Sequence, residues 1–246
     1  RENGVEPIVT MMHFTSPKWL IENGGWENEA TVEAFKNYCQ YVTEQLGDLM
    51  HYVCTINEAN MGIQVAAISA RYRAQMMAKM QRMQQGGAEE KKDLEGTAQV
   101  GMNFNDMMAN MQKQKEENVE IFGTDTLQTF VSARTPEGDM LVIRAHQAAR
   151  AAMKAVKPEL QIGLTLSLHD IQAQEGGEET AAKEWVDEFT HYVPYIKEDD
   201  FFGLQNYSRS LIGPNGILPV PEGAEITQMD YEYYPEGLEH VIRRVY

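Results

Sequence analysis

A carboxylic acid and an amide stand side by side where the sequence could present them for chemistry. Residues Met50 to Asn57 are mostly apolar and β-branched, so they predict a buried strand, and Glu58 follows it directly. In parallel α/β folds, and above all in (β/α)8 barrels, catalytic side chains lie at the carboxyl ends of strands. There Glu58 could donate and accept protons while Asn57 hydrogen-bonds a substrate hydroxyl. These two residues are the first candidate site.

Glu58 also has a purely structural explanation. A glutamate at the beginning of a helix is stabilised by the helix macrodipole, and on its own this accounts for the residue equally well. His13 and Tyr207 favour the catalytic interpretation, because each also falls at the end of a predicted strand and would share one rim with Glu58. Trp19 and Trp26 could stack on sugar rings, although tryptophans in such loops more often anchor local packing.

Four predicted strands position these residues. They run from Val5 to Met12, from Met50 to Asn57, from Gln161 to Leu166 and from Asp200 to Gln205. Amphipathic helical patterns separate them; Asp139 is predicted to cap one helix, and the stretch from Ile212 to Gly223 is predicted to be a loop. The order predicts an α/β fold of the (β/α)8 barrel type with about four βα units. The chain is expected to form a single domain over residues 1–246, with a helical insertion at about residues 63–135.

The overall charge narrows the class of ligand. The chain has 37 acidic and 21 basic residues and a formal net charge of −16, which would repel a phosphate backbone. Neither nucleic acid nor an anionic membrane is expected as a partner, and no apolar run approaches the length of a membrane span. The chain opens on Arg1 rather than methionine, so a missing signal peptide says little about localisation, for which the cytoplasm is favoured.

No metal or cofactor is expected. Cys39 and Cys54 fall on different predicted elements, which favours two reduced structural thiols over a disulfide or a zinc site. The histidines lack metal-ligand spacing, and there is no phosphate loop or dinucleotide fingerprint. A methionine-rich helical pattern that includes Met76, Met77 and Met80 is typical of residues that fill gaps in a core rather than of a copper site.

Six segments resemble the retaining β-glycosidases of glycoside hydrolase family 1, typified by β-glucosidases. They are His13-Phe14 with SPKWL, GGWEN at 24–28, TINEAN at 55–60, IGLTLSL at 162–168, DFFGLQNYS at 200–208 and YYPEGL at 233–238. The resemblance implies that the four strands correspond to the third to sixth of a (β/α)8 barrel. It also implies hydrolysis of a β-linked saccharide or an aryl or alkyl β-glycoside, with no metal or cofactor.

The resemblance assigns roles to five residues. Glu58 looks like the acid/base, Asn57 like the partner of the sugar 2-hydroxyl, and His13 like a contact to the glycone in subsite −1. Tyr207 resembles the tyrosine that hydrogen-bonds the family's nucleophile, with Asn206 beside it lining the pocket. Ala59 stands where the family usually has proline, which relaxes the backbone after Glu58 without removing a reacting group.

A second departure concerns the catalytic pair. The family's nucleophile is a glutamate in an Ile/Val-Thr-Glu-Asn-Gly segment, which residues 1–246 do not contain. Retaining hydrolysis uses two carboxyl groups about 5–5.5 Å apart, so little or no turnover is expected from the 246 residues alone, and Glu58 is expected to be ionised without that neighbour. Half a barrel also leaves two open sheet edges and exposes the apolar interior of the missing half. Self-association through these edges, misfolding, or completion of the barrel by another piece is therefore expected, unless the chain closes in some other way.

Two other functions stay open. The chain could be a non-catalytic remnant of such an enzyme, which binds sugars or assembles with itself. It could also be an unrelated α/β binding protein that uses the same rim, which would require the six matching segments to be accidental.

Overall fold

Parallel strands form the central sheet. The computed structural model describes residues 3–85, 104–229 and 231–246. Strand β1 (Ile8–Met12) pairs with β2 (Tyr52–Ile56), and β2 pairs with β3 (Gln161–Gly163). Strand β4 (Thr165–Ser167) pairs with β6 (Gly203–Gln205). Because only Leu164 separates β3 from β4, the spatial order is β1, β2, β3 with β4, then β6, which is an open arrangement of four parallel strands.

A smaller sheet continues beyond the carboxyl ends of these strands. In it β5 (Asp170–Ala173) pairs in parallel with β7 (Arg209–Gly213), and β8 (Gly216–Ile217) pairs antiparallel with β7. The prediction of a loop from residue 212 was therefore wrong over the β7–β8 hairpin. Gly216 turns the chain there with a φ of +104°, a conformation that favours glycine.

Eight α-helices are described around the sheet. They are α1 (Lys18–Glu22), α2 (Ala30–Leu46), α3 (Met61–Gln85), α4 (Phe104–Phe122), α5 (Pro136–Val156), α6 (Glu178–Trp185), α7 (Val193–Ile196) and α8 (Glu236–Val245). Helix α2 packs against α5, and Phe35 and Cys39 of α2 are buried. The core continues through α5 and β3 with Ala149, Met153 and Ile162 fully buried.

Two details of the helices correct the expectations from sequence. Thr135, not Asp139, caps α5: its hydroxyl accepts a hydrogen bond from Gly138 N at 3.0 Å, while Asp139 is buried in the first turn. Met77 is 63% exposed instead of filling a core gap. The side chains of Met76 and Met80 lie outside the described part of the structure.

Helices α3 and α4 occupy much of the predicted insertion, and residues 86–103 between them are not described. Among the described helices, none is both long enough and apolar enough to cross a membrane.

Candidate functional site

Glu58 lies immediately after β2 in a strained backbone conformation. Its φ is +46°, in the left-handed region that non-glycine residues rarely adopt, and the residue is only 4% exposed. Thr165 on β4 binds two consecutive backbone amides of this turn. Its hydroxyl accepts a hydrogen bond from Glu58 N at 2.8 Å, and its carbonyl accepts one from Ala59 N at 3.0 Å. The surrounding structure therefore fixes the direction of the Glu58 side chain.

Tyr207 contacts the carboxylate of Glu58 directly. Its hydroxyl lies 2.7 Å from Glu58 Oε1 and 2.9 Å from Gln205 Oε1. Burial, together with the hydrogen bond to Glu58 and the negative charge of Glu58, raises the pKa of Tyr207 to about 12. At neutral pH the phenol therefore keeps its proton and can donate it to the carboxylate.

Asn57 is oriented by the same strands. Its Oδ1 accepts from Gln205 Nε2 at 2.8 Å and from Thr165 Oγ1 at 3.2 Å, and Gln205 Nε2 also donates to Thr165 Oγ1 at 2.7 Å. The amide nitrogen of Asn57 points to the other side, where it lies 3.4 Å from Nε2 of the exposed His13. The Asn57 side chain is therefore held between Gln205 and Thr165 on one side and His13 on the other.

Asn206 has a different environment. Its Nδ2 donates to the backbone carbonyls of Leu168 at 2.8 Å and Ser208 at 3.0 Å, which ties the segments after β4 and β6 together. Within the part of the chain that the structure describes, no hydrogen bond joins Asn206 to the other four predicted site residues. Hydrogen bonds thus link Asn57 to His13 and Tyr207 to Glu58, and Gln205 contacts both Asn57 and Tyr207. The Asn206 amide donates to backbone carbonyls instead.

Thr165 and Gln205 were missed by the sequence reasoning. Both lie inside predicted strands, where they were counted as part of the sheet rather than as side chains of the site. The alternation of strand residues could have indicated them, because Thr165 and Gln205 are polar residues near the carboxyl ends of strands that otherwise carry leucine.

Arg134 is a further residue that sequence reasoning missed. Its Nη1 donates to Ala59 O at 2.9 Å and its backbone N donates to Gly62 O at 3.1 Å, so it secures the turn that follows Glu58. The guanidinium is buried and stacks 4.5 Å from the centre of the Phe130 ring. It also covers Gly62 so closely that a Cβ there would lie 2.6 Å from Arg134 Cζ.

A buried carboxylate balances the charge of Arg134. Asp139 Oδ1 lies 3.6 Å from Arg134 Nη1, and Asp139 also accepts a hydrogen bond from the Tyr192 hydroxyl at 2.7 Å. Burial lowers the pKa of Arg134, and the charge of Asp139 opposes that shift. Because arginine pKa values start far above neutrality, the guanidinium stays charged and the pair acts as a structural clamp.

The two tryptophans have separate roles. Trp26 is 3% exposed and packs edge-on against Phe35 and Phe130, with ring centres 5.6 and 5.3 Å apart, so it anchors packing and is closed to a sugar. Trp19 is 53% exposed and lines a groove between β1, α1 and α2.

A cavity of about 330 Å³, lined by both apolar and charged side chains, lies between α3 and α6. His169 Nδ1 lies 2.7 Å from Glu188 Oε1 there, and Arg71 Nη2 donates to Glu184 Oε1 at 2.6 Å. Burial by itself would lower the pKa of His169, but the hydrogen bond and charge of Glu188 outweigh it and raise that pKa. Among the described residues, no group of three or more histidine, cysteine or acidic side chains is arranged to hold a metal ion.

Comparison with known proteins gives a family match over the whole chain. A family model described as "Glycosyl hydrolase family 1" matches residues 1–246. A cytosolic β-glucosidase of Homo sapiens is 47% identical over 60 residues, which is 24% of this chain and 13% of that protein.

Solved structures resemble the fold over nearly all of its length. The β-glycosidase BGL167 aligns with a TM-score of 0.74 and 36% identity over 99% of this chain and 51% of its own. The β-glucosidase 1317 aligns with a TM-score of 0.73 and 28% identity over 99% of this chain and 52% of its own. The chain thus spans about half the length of these structures, and the predicted fold class, a partial (β/α)8 barrel with an open sheet, is confirmed.

Proposed function

The chain belongs to glycosyl hydrolase family 1, and we propose that it provides the proton-transfer half of a site that hydrolyses β-linked O-glycosides with retention. The observation that carries this proposal is the position of Glu58: a nearly buried carboxyl at the end of β2, 2.7 Å from the Tyr207 hydroxyl and next to Asn57. The substrate is a β-linked saccharide or an aryl or alkyl β-glycoside. No nucleic acid or membrane enters the reaction.

In the first step of this mechanism Glu58 is the general acid. A second carboxylate attacks the anomeric carbon, the bond from that carbon to the glycosidic oxygen breaks, and Glu58 transfers its proton to the departing oxygen. In the second step the ionised Glu58 takes a proton from water as the water oxygen attacks the same carbon, which releases the sugar and the second carboxylate. Glu58 ends the cycle protonated, as it began.

The neighbouring residues hold the sugar and the carboxyl in place. In this proposal Asn57 binds the sugar 2-hydroxyl and His13 contacts the glycone, while Asn206 supports the wall of the pocket through its backbone hydrogen bonds. Tyr207 donates to Glu58 when that carboxyl is ionised, and its side chain is partly exposed. In this proposal the same hydroxyl is also the one that hydrogen-bonds the second carboxylate. For the 246 residues alone, self-association through the unpaired edges of β1 and β6 is also proposed.

The second carboxylate is proposed to come from outside residues 1–246, since the family's Ile/Val-Thr-Glu-Asn-Gly segment does not occur in them. The 246-residue chain alone is therefore expected to release nitrophenol from nitrophenyl β-glucoside no faster than buffer does. Release above that background that Glu58→Gln abolishes would contradict this part of the proposal.

A chimera tests the role of Glu58 itself. Residues 1–246 replace the matching half of the β-glycosidase BGL167, whose remaining half would supply the second carboxylate. The chimera is expected to hydrolyse the nitrophenyl glycoside, and Glu58→Gln is expected to lower kcat by about 10²- to 10⁴-fold. The matched control is Glu22→Gln, an exposed glutamate on α1, which should leave kcat unchanged. Equal rates for the Glu58→Gln and control chimeras would overturn the assignment.

A further inference from the structure

Asn57, Thr165 and Gln205 form a closed ring of hydrogen bonds. Asn57 Oδ1 lies 2.8 Å from Gln205 Nε2 and 3.2 Å from Thr165 Oγ1, and the latter two atoms are 2.7 Å apart. The three side chains come from β4, from β6 and from the residue that follows β2. Asn57 is only 6% exposed, so a polar atom of its side chain that lost its partner in this ring would be left unpaired away from water.

The ring couples the orientations of the two carboxamides. An amide nitrogen only donates and an amide oxygen only accepts, so two like ends cannot meet at 2.8 Å. Whichever end Gln205 turns into the ring, Asn57 must therefore turn the opposite end into it. The Thr165 hydroxyl fits either orientation, because it can donate one hydrogen bond and accept two, one of them from Glu58 N.

The contacts of Gln205 show which orientation is adopted. Gln205 directs Nε2 into the ring and presents Oε1 to the Tyr207 hydroxyl at 2.9 Å. Nε2 donates to both Asn57 Oδ1 and Thr165 Oγ1, so Oδ1 is occupied within the ring. Asn57 therefore faces His13 with Nδ2, which lies 3.4 Å from His13 Nε2, and on that side it offers hydrogen-bond donors only.

We propose that Gln205 is a positioning residue that sets the preference of the site at carbon 2 of the sugar. The inference rests on the proposed function, in which Asn57 binds the sugar 2-hydroxyl. Held as a donor, Asn57 needs a partner that can accept a hydrogen bond. The oxygen of a 2-hydroxyl can accept one, whereas a protonated 2-amino group has donors only and leaves Nδ2 unpaired. Gln205 thus selects against a 2-ammonium group through Asn57.

Reversing the ring tests this role. A carboxylate in place of the Gln205 amide can only accept, so in Gln205→Glu both Thr165 and Asn57 must donate to it, and Asn57 then turns Oδ1 to the sugar. The measurement is kcat/KM of the BGL167 chimera for nitrophenyl 2-amino-2-deoxy-β-glucoside, divided by that for nitrophenyl β-glucoside. At about pH 6, where such an amine is protonated, Gln205→Glu is expected to raise this ratio at least about tenfold. An unchanged ratio would overturn the proposal.

Two further chimeras complete the comparison. Gln205→Met keeps the length of the side chain but has no donor, so Asn57 can turn either way and the ratio should rise by less than in Gln205→Glu. A rise in Gln205→Glu with none in Gln205→Met would contradict the ring, since both variants lose the same donor. Gln112→Met is the matched control, because Gln112 is exposed on α4 and its Nε2 donates to Glu116 at 2.9 Å. Its ratio should equal that of the parent chimera.

A double variant separates positioning from a direct attraction between the new carboxylate and the ammonium group. If Gln205 acts through Asn57, Gln205→Glu should not change the ratio of substrates in an Asn57→Ala background. The same rise in both backgrounds would mean that the carboxylate acts on the sugar itself, and the positioning role would be wrong.

The ring can also be tested without turnover. In the nitrogen-15-labelled 246-residue chain, the side-chain amide resonance of Asn57, assigned with Asn57→Ala, is expected to move in Gln205→Met and not in Gln112→Met. No movement would show that the ring is absent in solution, which overturns the inference. If the resonance moves but the Glu58→Gln chimera is as fast as its Glu22→Gln control, the proposed function fails and the role in specificity fails with it. If Glu58→Gln is inactive and the ratio stays unchanged in Gln205→Glu, only the role of Gln205 fails.

Discussion

The hydroxyl of Tyr207 lies 2.7 Å from Oε1 of Glu58, which joins the ends of two strands that are not neighbours in the sheet. Tyr207 follows β6 and Glu58 follows β2, and the strand between them contributes Thr165, which holds the Glu58 backbone. A proton donor aimed at a carboxylate stabilises its ionised form. This contact couples the charge of Glu58 to the protonation of Tyr207.

The coupling predicts a change in the titration of Tyr207. Burial, the hydrogen bond to Glu58 and the charge of Glu58 raise its pKa to about 12. In Glu58→Gln the charge is gone while the burial remains, so the pKa should fall towards its ordinary value of 10.0 without reaching it. Carbon-13 NMR of labelled tyrosines measures this, with Tyr207→Phe assigning the resonance. An unchanged Tyr207 titration in Glu58→Gln would mean that the contact does not exist in solution.

The left-handed backbone of Glu58 predicts an unusual order of stability. At φ +46° a residue with a Cβ is strained and glycine is not. Glu58→Gly is therefore expected to be more stable than Glu58→Ala by about 1 kcal/mol, although both lose the same carboxylate. Urea denaturation measures the difference. The same two substitutions at Glu44, exposed within α2, should show the opposite order, because alanine is the better helix former. If the alanine variant were the more stable one at both positions, the backbone at Glu58 would not be strained.

The clamp formed by Arg134 predicts a large loss of stability. Arg134→Met leaves Ala59 O and Phe130 O without their donor and removes the cation beside the buried Asp139, so the free energy of unfolding should fall by about 3–5 kcal/mol. Arg243→Met is the matched control, since its ion pair with Glu239 is exposed and should matter by less than about 1 kcal/mol. Similar losses for both variants in urea denaturation would show that Arg134 does not secure this turn.

The parts of this structure that follow from the apolar patterns of strands could be predicted from the sequence. The parallel strands, the helices between them and the convergence of His13, Glu58 and Tyr207 follow from apolar runs whose carboxyl ends share one edge. The strand ends were less predictable: the fourth strand begins at Gly203, not at Asp200, because the Asp200 carboxylate instead accepts from Ile162 N at 2.9 Å.

What the sequence did not reveal depends on tertiary contacts. Arg134 comes from a stretch without clear periodicity, and only the fold brings its guanidinium to Ala59, 75 residues away. The β7–β8 hairpin has a strand of two residues, too short to produce a recognisable alternation beside Pro214 and Gly216. In both places the local pattern was compatible with a loop, and long-range hydrogen bonds decided the structure.

The role proposed for Glu58 makes a direct prediction about leaving groups. A general acid is needed when the departing oxygen must be protonated and is dispensable when it leaves readily as an anion. The measurement is the rate of glycosylation by the BGL167 chimera carrying Glu58→Ala, with methyl and dinitrophenyl β-glucosides as substrates. The account predicts a loss of about 10²-fold or more for the methyl glucoside and little loss for the dinitrophenyl glucoside. Equal losses for the two substrates would contradict the assignment of Glu58 as the acid.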